Sequence, residues 1–347
     1  MADGALSSKA VVAAKRGGPE RLAMQDVTVP RPGPGEVRVR MLAAGVAFAD
    51  LMIREGVYPI DLPWPRTPGY DIVGEIEAVG DGVELTVGSR VAALTVHGSY
   101  ALHRTLPADQ CVPVPDGADP AQAVALVLNY LTARQMLHRV ARLEAGDSVL
   151  IHAAAGGVGT AVLELARAAG IRVIGLCSAA KHERVRALGG VPIDYRSEDV
   201  ADRVRVLTDG RGVDAVLDAV GGPETRRSWD VVRPTGVVVC YGALSVASNG
   251  RVGPRSALSS LLRAPRFTPM RLLTDVKGVI GYNVDSWRRE RPDAYRADLA
   301  ALIAMLAEGT LDPLIGARLP LAQAADAQRM LGGGDTQGKL VLVPNTD

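Results

Sequence analysis

The stretch SVLIHAAAGGVGTAVLELARAAG, Ser148 to Gly170, constrains this chain more than any other. Its apolar start, Val149 to Ile151, is too short for a helix and β-branched enough for a buried strand. Small residues follow. Gly156, Gly157 and Gly159 leave the backbone bare ahead of a segment in which Val158, Val162, Leu165, Ala166 and Ala169 recur at helical spacing. A helix that begins on such a turn offers unpaired N–H groups to an anion, so Ala155, Gly156, Gly157, Val158 and Gly159 form the expected cradle for a pyrophosphate. The G-x-G-x-x-G fingerprint is met with Ala154 in place of its first glycine. A bare strand-to-helix turn also occurs simply as a tight turn, and the following residues decide between the two readings.

A second strand, Arg172 to Leu176, ends at Cys177-Ser178, where the ribose-reading residue is expected about twenty residues past the glycines. An acid there would repel a 2′-phosphate. Ser178 repels nothing, and Lys181 and Arg184 follow, so NADPH is favoured over NADH; the alternative for these basic residues is a solvated helix face.

A length of 347 residues suggests about two domains, and 48% hydrophobic with 22% charged residues supports an ample core. Net charge of +1 gives no general attraction to nucleic acid or to an anionic membrane. No uncharged apolar run approaches a bilayer span, and the N-terminal MADGALSSKA lacks the apolar core of a signal peptide. Cys111, Cys177 and Cys240 stand far apart, as reduced thiols of a cytoplasmic protein would.

Before the glycine turn the chain is β-rich. Ala10–Ala14, Glu36–Ala44, Ile72–Val79, Arg90–Leu94 and Tyr100–Arg104 read as strands between glycine and proline turns. With GVAFADLMIREGVYP, PGYDIVGEIEAVG, LNYLTA, HAAAGGVG, GVDAVLDAVGG and QGKLVLVP in that order, the chain resembles the medium-chain dehydrogenase/reductase superfamily, in its zinc-free quinone oxidoreductase and enoyl reductase branch. The resemblance covers nearly the whole length. It implies an α/β fold with a GroES-like β-rich catalytic domain, residues 1–129 and 275–347, and a Rossmann doubly wound parallel-sheet domain, residues 130–274, with NADPH and substrate in a cleft between them. It further implies a homodimer joined through the edge of the cofactor sheet.

Two departures from the wider superfamily bear on chemistry. Zinc alcohol dehydrogenases carry a His-Glu pair where this chain has Tyr70-Asp71, and no cysteine or histidine pair with ligand spacing occurs, so no metal site is expected. His97 and His103 read as structural. Hydride addition to a conjugated acceptor then remains more feasible than reduction of a simple ketone. At Ala47 the related reductases usually have an asparagine beside the nicotinamide; alanine supplies neither donor nor acceptor. Tyr58, in GVYP, is a candidate proton donor to a developing enolate, or else a tyrosine packed in a turn. Asp50 is expected to fix local backbone.

Asp116 to Arg142 reads as helical, with an apolar stripe of Ala121, Val124, Ala125, Leu128, Leu131 and Leu137. Strands then follow at Val191–Asp194, Ala215–Asp218 and Val237–Cys240, as a parallel sheet requires. Val220, Tyr241 and Gly242 end later strands and are expected in the cofactor groove. By the resemblance, Thr132 faces the nicotinamide, Tyr195 meets adenine or the 2′-phosphate, Tyr282-Asn283 closes over the nicotinamide, and Lys339 faces the cofactor phosphates. Arg251 to Lys277 holds six basic residues and one acid, Asp275, which reads as loop surface or as a receptor for a phosphate-bearing substrate. A helix near Asp298–Glu308 and a last strand, Lys339–Val343, complete the chain. The expected partner is a small enone, quinone or enoyl thioester, with no nucleic acid and no membrane. Two alternatives stay open: a redox-neutral enzyme such as a cyclase on the same scaffold, and an NADPH-binding protein without turnover.

Overall fold

A computed structural model describes residues 4–58, 62–248, 251–252, 259–260 and 262–345. The chain divides into two compact units. The first comprises residues 1–131, 249–251 and 285–347; the second comprises residues 132–248 and 252–284.

The first unit is built on a seven-stranded sheet. Its order is Ile315–Pro320, Lys339–Val343, Glu36–Val46, Asp71–Val79, Arg90–Leu94 and Val112–Val114, with His103–Pro107 also paired to Glu36–Val46. Glu36–Val46 is the hub because its alternation drives Val37, Val39 and Met41 inward, where they meet Ile72, Ile76, Leu106, Leu340 and Leu342. All its neighbours run antiparallel to it. The strand expected at Tyr100–Arg104 starts later, at His103. Tyr100 and Ala101 are drawn instead to the ribbon of Leu6–Ala13 and Leu22–Val29, since the Val11 N–H donates to the Tyr100 carbonyl and Ala101 bridges Ala10.

The helical run expected over 116–142 forms from Pro120, with the Asp119 carboxylate accepting from the Ala121 N–H and proline at the first helical position. It is not regular. π-helical segments at Leu126–Tyr130 and Gln135–Val140 flank Leu131–Arg134. Their wider turns rotate the buried face, so Leu128 lies half-buried while Val127, Asn129 and Tyr130 are buried.

The second unit carries a six-stranded, all-parallel sheet in the order Val191–Asp194, Arg172–Cys177, Ser148–His152, Val213–Asp218, Val232–Cys240 and Gly278–Gly281. Helices Gly157–Ala168, His182–Ala187, Val200–Leu207 and Glu224–Val231 connect successive strands. This is the doubly wound α/β order, and its direction reverses between Ser148–His152 and Val213–Asp218. The second unit runs to Val284 rather than 274 because Gly278–Gly281 pairs with Val237–Cys240 as the sixth strand. Of the basic stretch Arg251 to Lys277, residues 253–258 and 261 lie outside the described residues. Two of its other cations are held by the second unit's own surface: Arg271 pairs with Asp275, and the Lys277 ammonium donates to the Trp229 carbonyl at 2.8 Å.

Candidate functional site

Ser148–His152 is buried at every position, and the chain leaves it through Ala153, at φ 54°, into a turn. The Ala154 N–H donates to the Leu176 carbonyl at 3.0 Å and the Gly156 N–H to the Ala153 carbonyl at 2.8 Å, which fixes the turn from within. Gly156 then caps helix Gly157–Ala168 in extended geometry. The Thr160 N–H makes the first bond of that helix, to the Gly156 carbonyl, so those of Gly157, Val158 and Gly159 have no intrahelical partner. A Cβ on Gly159 would strike the carbonyl oxygens of Ala153 and Ala154. Ala155 is buried in the same turn. Backbone donors on a surface stripped of side chains suit a pyrophosphate.

The next two strands end side by side, with Asp194 opposite Cys177, which brings Tyr195 beside Ser178. Tyr195 is 51% exposed, with the Arg196 guanidinium 5.6 Å from its ring centroid. The Ser178 hydroxyl makes no capping bond to the turn Ala179–Lys181 that it opens. Asp194, the acid nearest this corner, is turned into its own loop: its carboxylate accepts from the Ser197 hydroxyl at 2.8 Å and the Arg196 N–H at 3.1 Å. The corner therefore brings together the Ser178 hydroxyl, the exposed Tyr195 ring and the Arg196 guanidinium.

At the reversal of strand order lies a pair that sequence reasoning missed. His152 Nδ1 is 3.1 Å from Asp218 Oδ1, each the last residue of its strand, and both are buried. Asp218 Oδ1 also accepts from the N–H groups of Val220 and Gly221, each at 2.9 Å, and the Ser228 hydroxyl lies 3.4 Å from His152 Nε2. Burial raises the Asp218 pKa, but His152 and the donated hydrogen bonds outweigh it and hold the carboxyl down at about 2. The signal was a polar residue closing each of two strands straight after a run of apolar residues, Val149–Ile151 and Ala215–Leu217. Through Asp218, Val220 is fixed in its turn. The Tyr241 N–H donates to the Asp218 carbonyl at 3.0 Å, and a Cβ on Gly242 would strike the Ala219 backbone. The buried Tyr282 donates its hydroxyl proton to Gln135 Oε1 at 2.8 Å; Asn283 beside it is exposed, and Thr132 is buried.

In the first unit, Asp50 sits in the first turn of helix Phe48–Glu55 and is fully buried. It accepts from the Ala47 N–H at 2.8 Å, the Gly69 N–H at 3.0 Å and the Tyr100 hydroxyl at 3.0 Å. Burial raises its pKa to about 7; the two backbone donors oppose that rise, and the neighbouring Asp71 adds to it. Asp50 thus ties three segments together, and Ala47 is left with a methyl group and an N–H already engaged. The half-buried Tyr58 meets the hydroxyl of buried Tyr70 at 2.8 Å.

Lys339, which the resemblance assigned to the cofactor phosphates, has a partner in the first unit. Its ammonium pairs with Asp71 at 2.7 Å, with both side chains buried in the first unit. Lys339–Val343 and Asp71–Val79 flank Glu36–Val46 on opposite sides, and the ion pair crosses over Gly45, where a Cβ would strike both partners. Asp71, in the position of a zinc enzyme's glutamate, is therefore engaged by an ammonium. Among the described residues no group of three His, Cys, Asp or Glu side chains is placed to hold a metal ion, and no helix is long and apolar enough to cross a membrane. His103 bonds Ser8 and contacts Glu77; burial, with Arg104 nearby, lowers the His97 pKa to about 4.

A family described as the alcohol dehydrogenase GroES-like domain matches residues 33–116, and one described as zinc-binding dehydrogenase matches residues 189–342. The chain is 34% identical to the human synaptic vesicle membrane protein VAT-1 homolog, over 95% of this chain and 85% of that protein. It is 35% identical to a 2-haloacrylate reductase from a Burkholderia species (96% and 98% covered) and to a quinone oxidoreductase from Pseudomonas aeruginosa (97% and 100%). The solved Escherichia coli quinone oxidoreductase complexed with NADPH superimposes with a TM-score of 0.86, at 27% identity, over 97% of this chain and all of that one.

Proposed function

This chain belongs to the medium-chain dehydrogenase/reductase superfamily, alongside its quinone oxidoreductases, and on that premise we propose that it is an NADPH-dependent, zinc-independent reductase of enones, enoyl thioesters or quinones. The observation that carries the reading is the bare turn at Gly156–Gly159, with three N–H groups unpaired by the helix and no room for a Cβ at Gly159. Bound NADPH would supply hydride from C4 of its nicotinamide. The protein's part is to hold and orient it. Ala155, Gly156, Gly157, Val158 and Gly159 receive the pyrophosphate, while Ser178, Lys181 and Tyr195 receive the 2′-phosphate end. Val220, Tyr241 and Gly242 line the groove past the strand ends, and Thr132, Tyr282 and Asn283 serve the nicotinamide end. Tyr58 protonates the oxygen on which negative charge develops. Three free thiols fit a cytoplasmic setting, and a homodimer through the edge strand Gly278–Gly281 is the assembly we propose.

The 2-haloacrylate reductase supports a conjugated acceptor, since that name describes reduction of a double bond beside a carboxyl group. Calorimetry with NADPH and NADH, followed by absorbance at the nicotinamide band with a panel of quinones, enones and enoyl thioesters, tests the reading. Expected are preference for NADPH, its loss in Lys181→Ala with Tyr195→Ala, and oxidation coupled to a product heavier by two hydrogens. Absence of heat with either coenzyme would sink it. Ala47 favours one alternative: residue 47 offers a substrate carbonyl neither an amide side chain nor a free N–H. A product of unchanged mass with NADPH intact would move the assignment to a redox-neutral reaction.

A further inference from the structure

The hydroxyls of Tyr58 and Tyr70 meet at 2.8 Å, and their rings stand edge to face at 80° with centroids 6.1 Å apart. The two differ in exposure: Tyr58 is half-buried, Tyr70 only 2% exposed. We propose that Tyr70 is a positioning residue, which holds the Tyr58 hydroxyl and donates a hydrogen bond to the Tyr58 phenolate formed when that hydroxyl protonates a reduced enone. The inference rests on the reading of Tyr58 as proton donor in the proposed function.

The step balances as follows. Hydride forms a C–H bond at the β-carbon, the carbon–carbon π pair moves toward the carbonyl, and the oxygen becomes an enolate. The Tyr58 O–H bond breaks, its proton goes to that oxygen, and the enol tautomerises in water, from which Tyr58 later regains a proton. A phenolate stranded at a half-buried site needs a donor. Tyr70 is suited to the task because it stays protonated: burial raises its pKa well above that of an ordinary phenol, and Tyr58, Asp285 and Asp50 push it the same way. The Tyr70 backbone is itself held, since its carbonyl accepts from the N–H groups of Thr95 and Val96. Asp285 is engaged by Arg288 and Arg289, and Asp50 by its three donors, so neither competes for the Tyr58 proton.

The test compares 2-cyclohexenone with 1,4-benzoquinone, both with NADPH. Hydride addition to the quinone gives a hydroquinone monoanion, a weak base with little need of an acid. Tyr70→Phe should lower kcat on the enone about ten- to a hundredfold, the worth of a hydrogen bond to a charged acceptor, with a smaller change in KM. The ratio of enone to quinone turnover should fall at least about tenfold, and the alkaline limb of the enone pH profile should move up. Tyr58→Phe should show the same selectivity, and the double variant should be no slower on enone than Tyr58→Phe alone. If Tyr70→Phe is unstable, Tyr58→Phe at its half-buried position still decides through the same ratio. Equal losses on both acceptors, no loss, or additive effects in the double variant would overturn the proposal. Wild-type protein that reduces the quinone and no enone would overturn it while leaving hydride transfer standing; reduction of neither removes both.

Discussion

Asp50 in the first unit and Asp218 in the second are both fully buried carboxylates, and each accepts two backbone N–H groups, yet one has its pKa raised to about 7 and the other lowered to about 2. Burial pushes both upward. The difference lies in what stands at contact distance. Asp218 has His152 at 3.1 Å, whereas Asp50 has a phenol and, nearby, the second carboxylate of Asp71, whose own partner is Lys339. Two backbone hydrogen bonds do not hold the buried Asp50 carboxyl down, whereas the same number with a histidine at contact distance holds Asp218 down.

Removing the one cation of the first cluster should break this contrast most severely. Lys339→Met leaves the Asp71 charge buried without its partner, and chemical denaturation should show a loss of about 3–5 kcal/mol. It should also raise the Asp50 pKa further, since Lys339 lowers it. Titration of wild type against Asp50→Asn gives the next effect. Because the folded pKa lies above the unfolded one, the folded state binds the extra proton between about pH 4 and 7, and stability falls as pH rises through that window. The difference between the two proteins should change by about 4 kcal/mol across it. A flat difference would mean that Asp50 is ionised throughout.

Asp218 should behave in the opposite sense. Its folded pKa lies below the unfolded one, so its contribution is present above about pH 4 and lost as pH falls through about 2. Against Asp218→Asn, wild type should lose about 2 kcal/mol there, and His152→Leu should move that loss to higher pH. Arg205→Ala supplies the floor of the scale. Arg205 and Asp202 pair at 2.5 Å but are 63% and 71% exposed, and less than about 0.5 kcal/mol should follow.

Much of the second unit was legible because its elements are locally encoded. Ser148–His152, Arg172–Cys177 and Val191–Asp194 are short apolar runs bounded by turn residues, and the glycine turn declares itself through residues that have little other reason to be bare. The first unit was read less well. The strands Leu22–Val29 and Ile315–Pro320 are for the most part only half-buried or exposed, and neither they nor helix Ala324–Gly333 were anticipated. Gln328 on that helix accepts from the Arg54 guanidinium across 274 residues of sequence, a contact that no local pattern announces. The pairing of Lys339 with Asp71 was hidden for a related reason: strand order fixed it, and not the residues around it.

The sequence by itself determined that this chain would wind a parallel sheet behind a bare helix start, because spacing and side-chain size act locally there. Only the tertiary structure decided which polar groups would face each other. The placing of Lys339 on Asp71, His152 on Asp218 and Tyr70 on Tyr58 depends on which strands and loops end side by side, and Coulombic and hydrogen-bond energies fall away over the few ångströms that this arrangement sets.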